Sequence, residues 1–333
     1  MSHLIETMAY TGQTPWHQLG HALPKKQSID VWAQAAGMQW KIQETPVRYM
    51  ATGDADALYG EALEFPEQKV LYRSDTNAAL SVVSQRYKVV QPQEVLEFYR
   101  DLSEVAGFEL ETAGVLKAGR RFWALARTGK SACLKGNDVV HSYLLLATSC
   151  DGTLATMAIP TSVRVVCNNT LAIALQGANA GTGAGSIKVP HSTTFDAQAV
   201  KRQLGIAVGQ WDSFMYRMKT LAERKVKTHE AMNYFLKVIC QTDQQGEGGG
   251  SGVPGLANER ALKKVQTLFE GHGRGAELLA AKDTAWGLLS AVTEFVDHEK
   301  QARSQDNRLD SAWFGQGAAL KQRALEHALQ LVA

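Results

Sequence analysis

One arginine and two amides, Arg164, Asn168 and Asn169, follow an apolar segment and precede a stretch with helical character. We predict that Arg164 is exposed at the end of a strand and that residues 170–176 form a helix with Asn168 as its N-cap. The outward-facing N-terminus of such a helix attracts anions. This set indicates recognition of a polyanion or a nucleobase edge, because it supplies no nucleophile, general base or metal ligand.

Cations and aromatic rings are interleaved in two predicted strands. These residues are Arg86, Tyr87, Lys88, Arg120, Arg121 and Trp123. Alternate residues of a strand share a face, so we expect Arg121 and Trp123 to lie on the same side of the sheet. An exposed ring there could stack on a base, an interaction worth about 1–3 kcal/mol. In the alternative interpretation Trp123 belongs to the core and the arginines form a solvated face.

Residues 217–227 hold five cations and one acid, a local net charge of +4 in a chain whose formal net charge is +2. The cations are Arg217, Lys219, Arg224, Lys225 and Lys227. A basic helix attracts nucleic acid through counterion release. Its alternative role is that of an ordinary soluble helix surface.

A glycine-rich stretch covers residues 177–186, followed by Lys188. The lysine and hydroxyl of a phosphate-binding P-loop are missing, so we predict a mobile loop with no nucleotide cofactor. Lys188 beside it could contact a nucleic-acid backbone.

Cysteines and histidines offer a weaker enzymatic hypothesis, a thiol site near His141, Cys150 and Cys167. Most such cysteines behave as small hydrophobic residues. Two sequences begin like the zinc motif HExxH, but Asn233 and Ala302 replace the second histidine. The sequence therefore predicts no catalytic residue and no metal site.

Composition describes an ordinary globular chain of 333 residues, with 45% hydrophobic and 20% charged residues. No apolar run approaches the ~18 residues of a membrane span, and we recognise no secretory signal at the N-terminus. The four cysteines are scattered without a CxxC pair. Reduced thiols in the cytoplasm are the simplest expectation.

Local patterns predict the elements that must position these residues. A helix is expected over residues 29–37 with Asp30 as N-cap, and another begins at Pro92. Pro46 marks an edge or a bulge in a strand. The predicted antiparallel meander begins near Ala79 and includes two hairpins, which pair residues 108–116 with 121–127 and residues 139–148 with 154–166. Asp151-Gly152 favours a tight type I′ turn in the second hairpin.

The order of these elements, strands first and helices afterwards, indicates the α+β class. We predict four regions: an antiparallel α+β domain over residues 1–190, a basic helical segment over 191–245, a flexible glycine-rich linker over 246–255 and a helical region over 256–333.

Five segments carry a family likeness, and they are residues 16–20, 82–92, 119–126, 164–171 and 291–298. Together they resemble the phage/plasmid-like family of the domain of unknown function 932 (DUF932). This resemblance implies a protein carried by phages, prophages and plasmids, and it brings no established catalytic residues. The order of hairpins and helix is also similar to that of Rad52-type single-strand annealing proteins, in topology alone.

Our first hypothesis is a non-enzymatic, cytoplasmic protein that binds single-stranded DNA as a homo-oligomer and assists annealing or recombination, without a cofactor. The alternative is an interaction protein that binds a host factor, for example against a defence system, through the helical C-terminal half. The third is the thiol enzyme described above.

Overall fold

The structure, a computed structural model, describes residues 7–12, 20–51, 60–167, 169–173, 187–208, 211–240 and 256–333. Two sheets come first and a helical region follows, so the predicted α+β class is confirmed. No helix in these ranges is long and apolar enough to span a membrane. The predicted linker and the glycine-rich loop at 177–186 lie outside the described residues, and the division into regions stays a prediction.

The smaller sheet has three antiparallel strands, β3 (Ile42–Ala51), β4 (Glu61–Arg73) and β5 (Ala79–Ser84). Its pairing is irregular between Pro46 and Val47, which confirms the predicted bulge. The expectation of one meander starting near Ala79 is wrong, because β5 pairs with β4 and not with the strand that follows it in the chain. In the chain, a helix lies between β5 and the next strand.

The larger sheet has eight strands in the order β10-β9-β8-β7-β6-β1-β2, with β11 paired to β9. The strands are β1 (Thr7–Thr11), β2 (His21–Leu23), β6 (Glu109–Leu116), β7 (Arg121–Cys133), β8 (Val139–Ser149), β9 (Thr156–Arg164), β10 (Asn169–Ala172) and β11 (Ile187–Val189). Neighbours are antiparallel except β1 and β2. Both predicted hairpins are confirmed.

Two local predictions within this sheet are wrong. The connection from β8 to β9 runs from Ser149 to Thr156, and only Gly152 in it has a positive φ, 73°. It is therefore longer than a two-residue type I′ turn, for which both central residues need positive φ. The helix expected to start at Thr170 is strand β10, because residues 169–172 pair with the end of β9.

The helices are α1 (Ile29–Ala35), α2 (Pro92–Ala106), α3 (Ala197–Val208), α4 (Trp211–Glu223), α5 (Thr228–Cys240), α6 (Leu256–Thr267), α7 (Ala285–Glu294), α8 (Gln305–Phe314) and α9 (Gln316–Gln330). One π-helical turn follows α6 and another follows α7. Helix α2 begins at Pro92 as predicted. The N-cap of α1 is Ser28, whose hydroxyl accepts from the Val31 N–H, and not Asp30.

Helices cover both faces of the larger sheet. The first face, with Phe122, Ala124 and Leu144, packs against α1 and α2. The second face, with Trp123 and Tyr143, packs against α8, and we call it the α8 face. Alternate residues of each strand therefore enter different cores.

A third core joins α4–α7 and α9 with β10. It contains Met218 and Phe235 from the middle of the chain and Trp286 and Leu325 from the last third. The C-terminal helices therefore share one apolar core with the helices that precede residue 241, and this core also contacts the larger sheet through Leu171.

Candidate functional site

The two predicted basic-aromatic strands do not form an open stacking platform. Trp123 is 1% exposed and Arg121 is 4% exposed, because α8 covers them. Trp313 meets the Trp123 ring edge-on at a centroid distance of 4.8 Å, and Arg121 forms an ion pair with Asp310. Arg121 and Trp123 do lie on one side of the sheet, as expected, but that side is buried. The core interpretation of Trp123 is the correct one.

Tyr87 is also a structural residue. Its hydroxyl donates to the Ser149 carbonyl oxygen at 2.8 Å, and its ring stacks on His191 at 4.4 Å between centroids. Burial is the largest effect on its phenol and raises the pKa of Tyr87 well above its usual value. Of its neighbours, Arg86 and Lys88 are exposed.

Arg164, expected to be exposed, is only 3% exposed. Its Nε and Nη2 donate to the Asp138 carboxylate at 2.8 and 2.7 Å, and Nη2 also donates to the Gly275 carbonyl oxygen at 2.9 Å. The indole N–H of Trp286 donates to the same carboxylate at 3.0 Å. A buried ion pair within the sheet, with further hydrogen bonds to the helical region, therefore replaces the predicted anion contact.

Asn169 is buried as well, at 4% exposure. Its amide donates to the Ser290 carbonyl oxygen and to the Thr293 hydroxyl, at 3.3 and 3.2 Å. Asn168 lies outside the described residues. An N-cap has no role at this point of the chain, because a strand and not a helix begins at Asn169.

The remaining predicted cations divide into two exposed groups. Arg86 and Lys88 flank the buried Tyr87 in the chain, and Arg120 accepts a backbone hydrogen bond from Cys150, the residue after Ser149, which Tyr87 contacts. Lys188 is exposed on β11. The second group lies on α4 and on the segment before α5. Its exposed members are Arg217, Lys219, Lys225 and Lys227, whereas Arg224 is half-buried and donates to Glu230 and to the Leu331 carbonyl oxygen.

The groups proposed for a thiol enzyme do not converge. Cys150 packs in the core on the α2 side of the sheet, whereas His141 lines a cleft on the opposite side. Burial is the main cause that raises the pKa of both Cys150 and Cys167 to about 12. Such thiols are protonated near neutral pH and are poor nucleophiles. Within the described residues, no three His, Cys, Asp or Glu side chains are arranged to hold a metal ion.

A cleft of about 660 Å³ opens on the α8 face beside Trp313. Strands β6 to β10 form its floor, and the segment before α1 forms part of its rim. Residues that line it include Lys25, Lys26, Glu109, Glu111, Trp123, Leu125, Arg127, His141, Tyr143, Val163, Thr170 and Trp313. The cleft lies where the sheet continues beyond the surface that α8 covers.

A β-bulge directs the acid of the cleft. Leu110 pairs with Ala126 and Thr112 with Leu125, so Glu111 is the extra residue of β6. An extra residue re-aims its side chain. The Tyr143 hydroxyl donates to both Glu111 carboxylate oxygens, at 3.0 and 2.8 Å. Burial is the largest effect on Glu111 and raises the pKa of its carboxyl, although the bond from Tyr143 opposes this.

A cation and a neutral imidazole lie beside this acid. The Arg127 Nη2 is 3.0 Å from Nδ1 and 3.1 Å from Nε2 of His141. Burial, and then the charge of Arg127, lower the pKa of His141 below its usual value. The imidazole is therefore mostly neutral near pH 7 and accepts from the guanidinium. The Trp123 indole N–H, on the cleft wall, is buried and has no hydrogen-bond partner among the described residues.

Of the cleft residues, our predicted nucleic-acid site included Trp123 and the thiol hypothesis named His141, whereas Glu111, Arg127 and Tyr143 were missed. The pattern Trp123-x-Leu125-x-Arg127 places a cation in line with two core residues of one strand, and His141-x-Tyr143 repeats this on the next strand. Polar residues at the alternate strand positions that otherwise face the core are the signal that could have identified them. The bulge at Glu111 leaves no comparable local signal.

Fold and cleft together define an α+β protein with a ligand-sized cleft on one face of its larger sheet. The model of the family described as domain of unknown function (DUF932) matches residues 79–313, and the chain belongs to this family. This match includes every strand of the cleft floor and Trp313, whereas Lys25 and Lys26 precede it. No curated protein and no solved structure matches the chain.

Replacing Asp138 by alanine is expected to lower the free energy of unfolding by about 3–5 kcal/mol, because Arg164 would remain buried without its counterion. The matched control is Glu97→Ala, which removes an exposed pair with Arg100 and should cost at most about 0.5 kcal/mol. Urea denaturation followed by circular dichroism measures both. Equal losses for the two variants would contradict a structural role for the Arg164 pair.

Alkylation should distinguish the four thiols. At about pH 8, iodoacetamide is expected to modify the exposed Cys133 first and to leave Cys150 and Cys167 unmodified, since burial keeps both protonated. Peptide mass spectrometry gives the order, and the same reaction in denaturant, where all four cysteines react, is the control. Rapid labelling of Cys167 in the folded protein would revive the thiol-enzyme hypothesis.

Glu111 should make stability depend on pH. Its pKa is higher in the folded than in the unfolded protein, so its contribution is present at low pH and is lost as the pH rises through the folded pKa. Denaturation of wild type and Glu111→Gln between about pH 4 and about pH 8 tests this. The stability of wild type relative to the variant is expected to fall across the series, and a constant difference would contradict the raised pKa.

Proposed function

We propose that the protein binds single-stranded nucleic acid, with single-stranded DNA as its main ligand, by taking one unstacked nucleotide into the cleft on the α8 face. Single-stranded DNA is the ligand that the sequence predicted, but the binding site is the cleft and not the basic-aromatic strands. The observation that carries it is the combination of aromatic wall, hydrogen-bonding floor and basic rim in one cleft.

The size of the cleft supports a ligand of nucleotide dimensions. Its volume of about 660 Å³ lies within the range of about 300–1,000 Å³ that is common for small-molecule sites. A base that is still paired in a duplex cannot enter such a cleft without being flipped out, at a cost of a few kcal/mol. A single strand avoids most of this cost and should therefore bind more tightly.

The floor offers complementary groups to a base edge. The Glu111 carboxylate accepts hydrogen bonds, and the Arg127 guanidinium donates them. Trp313 is half-buried and presents a ring on which a base could stack, for about 1–3 kcal/mol. The environment is partly desolvated, so each of these bonds discriminates more strongly than it would on an open surface.

The rim supplies positive charge for the backbone. Lys25 and Lys26 are exposed at the cleft entrance, and Arg127 is half-buried below them. Lysines that neutralise phosphates release counterions, so affinity should fall as the salt concentration rises.

The biological setting belongs to the same proposal. We infer a role in annealing or recombination, on phages and plasmids, from the likeness to the phage/plasmid-like branch of the family and from the Rad52-type order of elements. No step of binding uses catalysis or a cofactor in this proposal. The cytoplasm suits the four cysteines, all of which are free thiols.

Arg127→Ala and Glu111→Gln test the cleft directly. Each is expected to weaken binding of a fluorescent single strand of about 20 nucleotides by about tenfold or more, which corresponds to about 1.4 kcal/mol. The control is Arg217→Ala with Lys219→Ala, which removes two exposed cations far along the chain and should leave most of the affinity. Fluorescence anisotropy at low salt measures all of them, with circular dichroism as a check on folding.

Each outcome separates the hypotheses. Absence of binding at low salt would contradict the nucleic-acid function and favour a host protein as the partner. Loss of binding in the α4 double variant, with normal affinity in Arg127→Ala, would move the site from the cleft to the basic helix. Equal affinity for duplex and single strand would contradict the entry of an unstacked nucleotide.

A further inference from the structure

The hairpin of β3 and β4 extends beyond the rest of its sheet. Strand β5 pairs only with residues 68–72 of β4, so the remainder of the hairpin is a two-stranded ribbon. Residues 47–51 and 61–67, which we call the arm, include no buried residue, although all are described. A two-stranded ribbon without a covering layer is at best marginally stable in water.

One face of the arm is apolar. Val47 lies opposite Phe65 and Tyr49 opposite Leu63, and these four side chains share a face. Tyr49 is 51% exposed and Phe65 is 38% exposed. The other face carries the ion pair of Arg48 and Glu64. An apolar stripe on an uncovered ribbon, along the free edge of β3, is a typical protein-binding surface.

Charge identifies which surface the arm fits. The arm contains three glutamates and one arginine, a formal net charge of −2. Two arms from two copies would therefore repel each other. The opposite charge occurs on the same chain at residues 216–227, which we call the basic corner, with five cations and one acid.

The basic corner also has an apolar contact to offer. Tyr216 is 74% exposed on α4, beside the exposed Arg217 and Lys219. An exposed aromatic ring among cations matches an apolar stripe flanked by carboxylates, both in charge and in the type of contact.

We propose that the arm of one copy binds the basic corner of a second copy of this chain. The two surfaces are different and each copy has both, so the contact is head-to-tail. Repetition of a head-to-tail contact produces either a closed ring or an open filament. Each copy in such an assembly would present its own cleft, so a single strand could contact successive clefts.

Two charge-reversed variants test this contact by size-exclusion chromatography with light scattering. The arm variant is Glu61→Lys with Glu67→Lys, and the corner variant is Arg217→Glu with Lys219→Glu. Wild type is expected to be assembled at a concentration of about 100 µM. Each variant alone is expected to be a monomer at the same concentration. Mixed together, they should form dimers or larger assemblies, because the intact corner of one meets the intact arm of the other, and the introduced lysines and glutamates also attract each other.

The controls separate this contact from general charge effects. Arg260→Glu with Lys263→Glu reverses two exposed charges on α6 and should leave the assembly unchanged. Tyr49→Ser with Phe65→Ser removes the apolar stripe without removing charge and should also produce monomers. These positions are not buried, so thermal melting of the subunit should be unchanged.

Several results would overturn the proposal. A monomeric wild type would do so, as would a mixture of the two variants that fails to dimerise. An assembled corner variant with a monomeric arm variant would show that the arm binds another surface. The test is independent of nucleic-acid binding, because Arg127→Ala should assemble normally while the monomeric arm variant should still bind a short oligonucleotide through its cleft.

Discussion

The hydrogen bonds of the buried Asp138 carboxylate are the interaction on which the arrangement of sheet and helices depends. This fully buried acid, just before β8, receives hydrogen bonds from Arg164 at the end of β9 and from the Trp286 indole on α7. The same guanidinium reaches the Gly275 carbonyl oxygen in the segment before α7. Burying a charge is costly unless it is paired and hydrogen-bonded. Both charges lie in the larger sheet, and the helical region supplies the Trp286 indole and the Gly275 carbonyl oxygen as their further partners. Another packing of the helices would leave buried hydrogen-bonding groups of this cluster without those partners, so the cluster favours one arrangement.

A second buried pair extends this constraint towards the cleft. Lys321 on α9 is 2.8 Å from Asp297, and its ammonium also donates to the Thr170 hydroxyl at 2.8 Å. That hydroxyl accepts from the Trp313 indole N–H at 3.2 Å, which holds the ring that forms the cleft wall. The position of the wall therefore depends on these long-range contacts as well as on α8 itself.

Local rules were sufficient for elements whose determinants lie within a few residues. Pro46 predicted a bulge and Pro92 a helix start, because the missing N–H acts on the immediate backbone. Local rules failed where contacts with distant residues determine the conformation or the burial of a segment. Residues 169–172 have helical character, yet they form β10 because the edge of β9 and the Asp297 carboxylate satisfy their backbone groups. Likewise, the alternation of side chains along β7 places Arg121 and Trp123 on one face. It does not predict that α8, almost two hundred residues later in the chain, covers them.

The cleft exists because that cover is incomplete. Helix α8 packs over Trp123, whereas Arg127 and Glu111 lie where strands β6 to β8 continue past it. Apolar side chains at these positions would give an exposed hydrophobic surface, and fully buried charges would destabilise the sheet. The residues present do neither, since Glu111 and Arg127 each have one hydrogen-bond partner among the described residues and retain capacity for more hydrogen bonds. A half-buried acid with a raised pKa next to a cation reduces stability, and such groups concentrate at functional sites. Binding of a polar ligand in the cleft would offset this cost in stability.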